Sequence, residues 1–97
     1  MQTYVTLASF TEKGLQNIKD TVKRVDAFKT AAADRGARVK EIVWTQGAYD
    51  MVAIIEAPDD TTMSALMLSA LKLGNVSGQT LRAFTAAEMQ TILDKVS

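Results

Sequence analysis

Hydrophobic positions along the chain change between strand-like and helix-like spacing, and the first change comes near residue 10. Residues 3–10 predict a strand because aliphatic, aromatic and β-branched side chains dominate the segment. Thr11 then predicts a helix N-cap. Apolar side chains recur every three or four positions after it, which predicts one amphipathic helix ending near Gly36. The stripe consists of Leu15, Ile18, Val22, Val25, Phe28 and Ala32.

The middle of the chain predicts a β-hairpin. Residues 39–46 and 49–57 form the two strands, and Gly47-Ala48 forms the loop, since glycine at the first central position favours a type II′ turn. The predicted pairs are Gln46–Tyr49, Thr45–Asp50 and Trp44–Met51. Because side chains alternate across a sheet, Tyr49 and Asp50 are expected on opposite faces, with Tyr49 on the face of Trp44.

The second hairpin strand is apolar on both faces, since residues 51–55 read Met-Val-Ala-Ile-Ile. A strand that avoids water on both sides must be covered twice. Helices can supply one cover, but the chain has no spare element for the other. We therefore predict a homodimer in which a second subunit covers the remaining face.

The last third of the chain predicts a helix, a strand and a further helix. Pro58-Asp59-Asp60 ends the hairpin strand and caps a helix over 61–73 that is apolar nearly all round and so expected to be buried on several sides. Residues 76–84 predict a strand. A capping box, Thr85 to Glu88, opens the last helix, whose predicted inner face is Met89, Ile92, Leu93 and Val96.

The resulting order, β-α-β-β-α-β-α, predicts a single α+β domain over residues 1–97. Right-handed crossovers turn this order into a ferredoxin-like sheet with helices on one face. The last helix is an addition to that arrangement. Two such sheets packed through their uncovered faces would form a dimeric α/β barrel.

Composition limits the chemistry available to the chain. It has 97 residues, eleven basic and eleven acidic, and neither Cys nor His. Zero net charge argues against nucleic acid as a partner. The missing residue types exclude a thiol nucleophile and thiolate or imidazole metal ligands. No apolar run is long enough to span a bilayer, and no leader pattern precedes the first strand, so a cytoplasmic protein without cofactors is expected.

Several short segments resemble one family, the GYD-domain proteins. The matching pieces are Thr11-Glu12-Lys13-Gly14, Asn17-Ile18-Lys19-Asp20 with Arg24, Gly47-Ala48-Tyr49-Asp50, Ala57-Pro58-Asp59-Asp60, Leu73-Gly74-Asn75-Val76 and Arg82-Ala83-Phe84-Thr85. They occur in the family's order and span nearly the whole chain. The resemblance implies a ferredoxin-like fold of the dimeric α/β-barrel type. It implies no activity, because the family has no established reaction.

Four residues are candidate ligand contacts: Tyr49, Asp50, Trp44 and Arg82. The phenol of Tyr49 could line a pocket beside Trp44, or it could be an interface aromatic. Asp50 is the candidate for a catalytic base, although it could equally accept hydrogen bonds from turn amides or from Thr45. Arg82 lies in an otherwise apolar strand, where it could bind a ligand carboxylate or extend its charge to solvent.

Other charged pairs favour structural roles. Lys19 and Arg24 could bind an anion, but solvated charges on a helix face are the more common case. Asp59 and Asp60 favour helix capping over a metal site, because further oxygen ligands at loop spacing are missing.

Three functions remain open. The first is a homodimeric domain that binds a small, partly hydrophobic molecule between sheet and helices. The second is a cofactor-free enzyme resembling small monooxygenases or isomerases, with Asp50 as its base, although analogy of fold alone is weak support. The third is a structural or regulatory assembly module without a ligand.

Overall fold

A computed structural model describes residues 1–97, which form four strands and four helices. The strands are β1 (Gln2–Phe10), β2 (Arg38–Trp44), β3 (Met51–Ala57) and β4 (Val76–Ala83). The helices are α1 (Glu12–Gln16), α2 (Thr21–Asp34), α3 (Asp60–Leu71) and α4 (Ala86–Leu93), with a short 3-10 turn at Ile18–Asp20 between α1 and α2.

The strands form one sheet in the order β2-β3-β1-β4, and all neighbouring pairs are antiparallel. The first and third strands in the chain are therefore central, and the two crossovers carry helices. This is the predicted ferredoxin-like α+β arrangement. Sequence periodicity was sufficient to predict it because each strand and crossover helix has a distinct hydrophobic spacing.

One face of the sheet is covered by α2 and α3. Alternate residues of the two central strands are buried there, Tyr4, Thr6 and Ala8 on β1 and Met51, Ala53, Ile55 and Ala57 on β3. Ile55 from the sheet and Leu66 from α3 have no exposed surface and lie in the same hydrophobic cluster. This layer is the core of the domain.

No element of the chain covers the opposite face of the sheet. This open face carries apolar side chains at its centre, Val5, Leu7, Val43, Val52, Ile54 and Leu81. Ile54, on a central strand, remains 37% exposed. The prediction that β3 is apolar on both faces is thus confirmed, and the single chain supplies only one of the two covers.

The predicted first helix is interrupted. Asn17 ends α1, where its backbone N–H and its side-chain amide both donate to the Lys13 carbonyl. Asn competes well for such local bonds, which favours a cap over a helix interior. The chain then turns through the 3-10 segment before α2 begins, so Leu15 and Val22 are exposed and the predicted stripe is buried only farther along α2.

The hairpin loop is wider than predicted. The Trp44–Met51 pair is confirmed, but β3 starts at Met51 and residues 45–50 lie outside the ladder. Thr45 and Asp50 retain one backbone hydrogen bond of 2.8 Å. Gly47 has a φ of +107°, a value that favours glycine. The alternation rule therefore does not apply to Tyr49 and Asp50.

Both of the last two helices bury less than predicted. In α3 only Met63 and Leu66 are buried, and Leu68 is 66% exposed. In α4 the capping box is present, but no residue is buried and Met89, Leu93 and Val96 are exposed. The predicted inner face of α4 therefore does not pack against the core of its own chain. None of these helices has the length and the apolar composition of a membrane-spanning segment.

Candidate functional site

Each of the four strands has one of its ends at the same end of the sheet, which we call the mouth end. Because β1 is antiparallel to both neighbours, its last residue, Phe10, lies close to the first residues of β3 and β4. Helix α1 follows directly after Phe10. Segments far apart in the sequence, at residues 11–14, 45–50 and 73–76, are therefore brought together here.

Helix α1 is joined to the start of β4 mainly through backbone groups. The Thr11 N–H donates to the Asn75 carbonyl at 3.1 Å, and the Thr11 hydroxyl donates to the Gly74 carbonyl at 2.5 Å. Gly14 is buried, and a Cβ built on it would collide with the Asn75 carbonyl oxygen. Only glycine lets α1 approach this closely.

Asp50 fixes the end of β1 at the mouth end. Its carboxylate accepts the Phe10 N–H at 2.9 Å, and its own N–H donates to the Ala8 carbonyl at 2.9 Å. The Thr45 hydroxyl donates to the Tyr49 carbonyl rather than to Asp50. The structural interpretation of Asp50 thus has a specific partner, a β1 amide and not a turn amide.

A cavity of about 330 Å³ opens between the sheet and helices α2 and α3. Fourteen of its 20 lining residues are hydrophobic, and they come from β1, β2, β3, α2, α3 and the segment leading into β4. The sheet contributes Ala8, Met51 and Ala53, while α2 contributes Val25 and Phe28. An apolar cleft with few polar groups is typical of small-molecule sites.

Four of the six polar residues of the cavity lining, Lys13, Thr21, Arg24 and Asn75, lie toward the mouth end. The other two are Thr6, in the middle of β1, and Ser69, on α3. The Lys13 ammonium donates to the Leu73 carbonyl at 2.7 Å, and Arg24 Nη1 donates to the Asn17 carbonyl at 2.8 Å. Backbone carbonyls therefore position both cations.

The other end of the sheet, the Arg82 end, is built from paired side chains. Arg82 lies 3.7 Å from the Glu88 carboxylate and donates to the carbonyls of Thr3 and Ala83. Its guanidinium also lies 5.6 Å from the centre of the Tyr4 ring and 4.8 Å from that of Phe84. Arg82 lines a shallow depression with Tyr4, Asp60, Met63, Ser64, Met67, Leu68 and Thr80.

Tyr4 is the titratable group with the largest perturbation. Burial, followed by its hydrogen bond to Asp60 and the charge of that carboxylate, raises the pKa of Tyr4 to about 12. Nearby Arg82 acts in the opposite direction. The Tyr4 hydroxyl is thus held protonated as a donor to Asp60.

A model of the GYD domain matches residues 4–93. The chain belongs to the GYD-domain family. A Thermus thermophilus protein named glutamine synthetase and cystathionine beta-lyase binding protein is 29% identical over 90 residues, which cover 92% of this chain and 95% of that protein.

Two solved structures resemble this GYD domain. TTHA0845 from Thermus thermophilus matches with a TM-score of 0.57 and 27% identity, over 89% of this chain and 96% of that one. MtbAldR matches with a TM-score of 0.67 over 87% of this chain. The match to MtbAldR covers 53% of that protein, about half its length, and at 12% identity it shows the fold alone.

The GYD-domain structure does not gather the four predicted ligand contacts in one place. Arg82 lies in the depression at the far end, and Asp50 lies at the mouth end without lining the cavity. Trp44 donates from Nε1 to the Thr21 hydroxyl at 3.0 Å, next to the cavity. The Tyr49 hydroxyl accepts from Gln79, whose strand neighbour Leu7 lies on the open face, so the predicted placement of Tyr49 beside Trp44 is wrong.

The structure does not bring Lys19 and Arg24, the candidate cationic pair, together at the cavity. Arg24 does line the cavity, but its companion there is Lys13, and Lys19 is exposed outside the lining. Helical spacing could not show this, because α1 and α2 are separate helices. The sequence feature that could have identified Lys13 is the segment Thr11-Glu12-Lys13-Gly14, which resembles the GYD family. No group of three or more Asp or Glu side chains is placed to hold a metal ion.

Proposed function

We propose that this GYD domain binds a small, partly hydrophobic molecule in the cavity between its sheet and helices. The observation that carries the proposal is the volume of about 330 Å³ beneath a largely apolar lining. Protein interiors are otherwise close-packed. Ligand pockets begin at roughly this volume, about 300 Å³.

Variants that fill the cavity test this proposal. Ala31 on α2 lines the cavity, whereas Ala33, on the same helix, is exposed and does not. Ala31→Phe is expected to weaken binding of the uncharged fluorescent probe N-phenyl-1-naphthylamine at least tenfold, and Ala33→Phe should bind like the unmodified chain. Equal binding by both variants, or no binding by the unmodified chain, would contradict the proposal.

We further propose that the domain is a homodimer that packs through the open face of the sheet. The centre of this face carries Val5, Leu7, Val52 and Ile54, and contiguous exposed apolar surface is typical of interfaces. A second copy suits it because an uncharged apolar centre is compatible with a two-fold, self-complementary contact. This arrangement corresponds to the predicted dimeric barrel.

Sedimentation velocity tests the homodimer. Ile54→Glu places a charge at the centre of the open face, so the variant should sediment as a monomer at concentrations where the unmodified chain is a dimer. Leu68→Glu is the matched control, because Leu68 is 66% exposed on the outer side of α3. A dimeric Ile54→Glu variant with unchanged circular dichroism would exclude this interface.

Binding to metabolic enzymes is a second candidate function, favoured by the name of the Thermus relative. It corresponds to the third function left open by the sequence, a structural or regulatory assembly module without a ligand. The test is sedimentation of the purified domain mixed with glutamine synthetase or with cystathionine beta-lyase from the organism that encodes this chain. If the domain sediments separately from both enzymes, this candidate function is contradicted.

Catalysis by Asp50 has less support than binding. Its carboxylate accepts a β1 amide, and it does not line the cavity. A base needs to lie within hydrogen-bond reach of the proton that it removes. The Asp50→Asn variant distinguishes the two roles, since a catalytic Asp50 predicts lost turnover at unchanged stability.

A further inference from the structure

The charge of the cavity lining has one sign. Lys13 and Arg24 are the charged residues among the 20 that line the cavity, and no Asp or Glu joins them. The whole chain has zero formal net charge, so the positive charge of the cavity lining is local and is balanced by acidic residues elsewhere. A largely apolar cavity thus has two positive groups and no negative group in its wall.

Neither cation is neutralised within the chain. The two ion pairs of the structure, Arg38–Glu56 and Arg82–Glu88, lie elsewhere. Lys13 donates to one backbone carbonyl, while Arg24 donates to one at 2.8 Å and to the Gly14 carbonyl at 3.5 Å. An ammonium and a guanidinium each have more N–H donors than these contacts use. Both groups therefore keep donors for a further acceptor.

The neighbouring backbone gives these cations a defined position. Lys13 is anchored to the end of α3 through the Leu73 carbonyl, and Arg24 bridges α1 and the turn that follows it. Both of these short hydrogen bonds lie at the solvent-exposed rim of the cavity, and hydrogen bonds from a cation to an anion are stronger than those between neutral groups. An anionic group at this point would meet oriented donors, and an attached apolar group would reach the hydrophobic wall.

We propose that the ligand of this cavity is an amphipathic anion. Its hydrocarbon or aromatic body would lie in the cavity against β1, β3 and α2, and one carboxylate or phosphate group would lie between Lys13 and Arg24. This inference rests on the proposed small-molecule function and specifies the chemical class of the ligand. It also gives Arg24 the anion-binding role, which the sequence left open beside the more common case of a solvated helix charge.

Hexanoate, hexanamide and pentyl phosphate test the inference by isothermal titration at constant ionic strength, because all three carry a pentyl chain and they differ in the charge of the head group. At least one anion is expected to bind tenfold or more tightly than hexanamide. The anion that binds more tightly identifies the head group as carboxylate or phosphate. Arg24→Gln and Lys13→Gln should each reduce the preference for the anion without weakening hexanamide binding.

Lys23→Gln is the matched control, since Lys23 precedes Arg24 on α2 but is exposed and outside the cavity. A preference lost equally in Lys23→Gln would show a general charge effect and overturn the inference. A preference that survives in the Lys13→Gln/Arg24→Gln double variant would also overturn it. Equal binding of all three probes overturns the inference but supports the cavity function, whereas binding of none of them contradicts both.

Discussion

The mouth end and the Arg82 end of the sheet have cations in different situations. At the mouth end, backbone groups of Thr11 and Asn75 hold α1 against β4, and Arg24 has no carboxylate partner. At the other end, Arg82 contacts the carboxylate of Glu88, two backbone carbonyls and two aromatic rings. Arg82 thus has a structural role at its end of the sheet, whereas Arg24 at the mouth end keeps donors available for a ligand.

The difference shows how a small domain can combine stability with an open site. Backbone contacts fix the position of α1 and leave the nearby ammonium and guanidinium groups with spare donors. Side-chain pairing at the Arg82 end uses the donors of its arginine to attach the start of α4 to the sheet. Substitutions at the two ends should therefore affect different properties.

Gly14→Ala should have the largest effect, because the added Cβ collides with the Asn75 backbone and α1 must move away from β4. We expect a loss of about 3 kcal/mol in the free energy of unfolding, toward the upper end of typical overpacking costs. Weaker binding of the neutral probe should accompany this loss. Urea unfolding measures the stability change.

Gln16→Ala is the control for Gly14→Ala, since Gln16 lies on the same short helix and is exposed. Its free energy of unfolding should stay within about 0.5 kcal/mol of the unmodified chain. A Gly14→Ala variant that is as stable as this control would show that the close approach of α1 is not required.

Asp50→Ala should have the next largest effect, also at the mouth end. It removes the acceptor for the Phe10 N–H, and a partly buried donor is left unpaired at a cost of about 2 kcal/mol. Asp50→Asn keeps a side-chain oxygen and should lose less than half of that. Urea unfolding of the two variants measures the difference, and equal losses would argue against the hydrogen bond as the cause.

The fold followed from sequence periodicity, but the ends of elements depended on local competition. Strand and helix order could be read because each segment has its own hydrophobic spacing. The interruption of the first helix at Asn17 could not be predicted from this spacing, because the apolar stripe continues past Asn17. Only the hydrogen bonds from Asn17 to the Lys13 carbonyl end α1. The hairpin pairing failed at Tyr49 for a similar reason, because β3 begins two residues later than the turn rule predicts.

The candidate site was less predictable than the fold. A cavity between layers was expected from the apolar strands and from α3, and it is present. Its charged residues come from α1, which is positioned by the contact between Gly14 and Asn75, and from α2, where Arg24 donates to a carbonyl of α1. Arg82 was a candidate because it is a lone charge in an apolar strand. Its ion pair with Glu88 of α4 could not be predicted, because the alternation of side chains along a strand says nothing about contacts with a helix.

Arg82→Met and Arg24→Met compare the two ends directly. Loss of the ion pair, the carbonyl contacts and the ring contacts should reduce the unfolding free energy of Arg82→Met by about 1.5 kcal/mol. Arg24→Met should lose only about 0.5 kcal/mol, since its contacts are exposed or long. Anion binding should be lost in Arg24→Met and retained in Arg82→Met; the reverse pattern would move the anion site to the Arg82 end.

The smallest effect is expected at the Arg82 end and appears only in alkaline solution. The pKa of Tyr4 is raised from 10.0 to about 12 by burial and by Asp60, so the unfolded chain loses this proton at lower pH than the folded chain. The folded state then binds more protons between these values, and stability falls as the pH rises from 10 through about 12. Below pH 10 the contribution is fully present.

Two variants isolate this titration, because the chain has two tyrosines. In Tyr49→Phe, tyrosinate absorbance reports Tyr4 alone, and its midpoint should lie well above that of a free phenol. In Tyr4→Phe, the alkaline loss of unfolding free energy should be smaller than in the unmodified chain, since the two chains differ only in the Tyr4 hydroxyl. A Tyr4 midpoint at the ordinary value would mean that neither the burial of Tyr4 nor its contact with Asp60 persists in solution, and the Arg82 end would then be less tightly packed than its side-chain pairing implies.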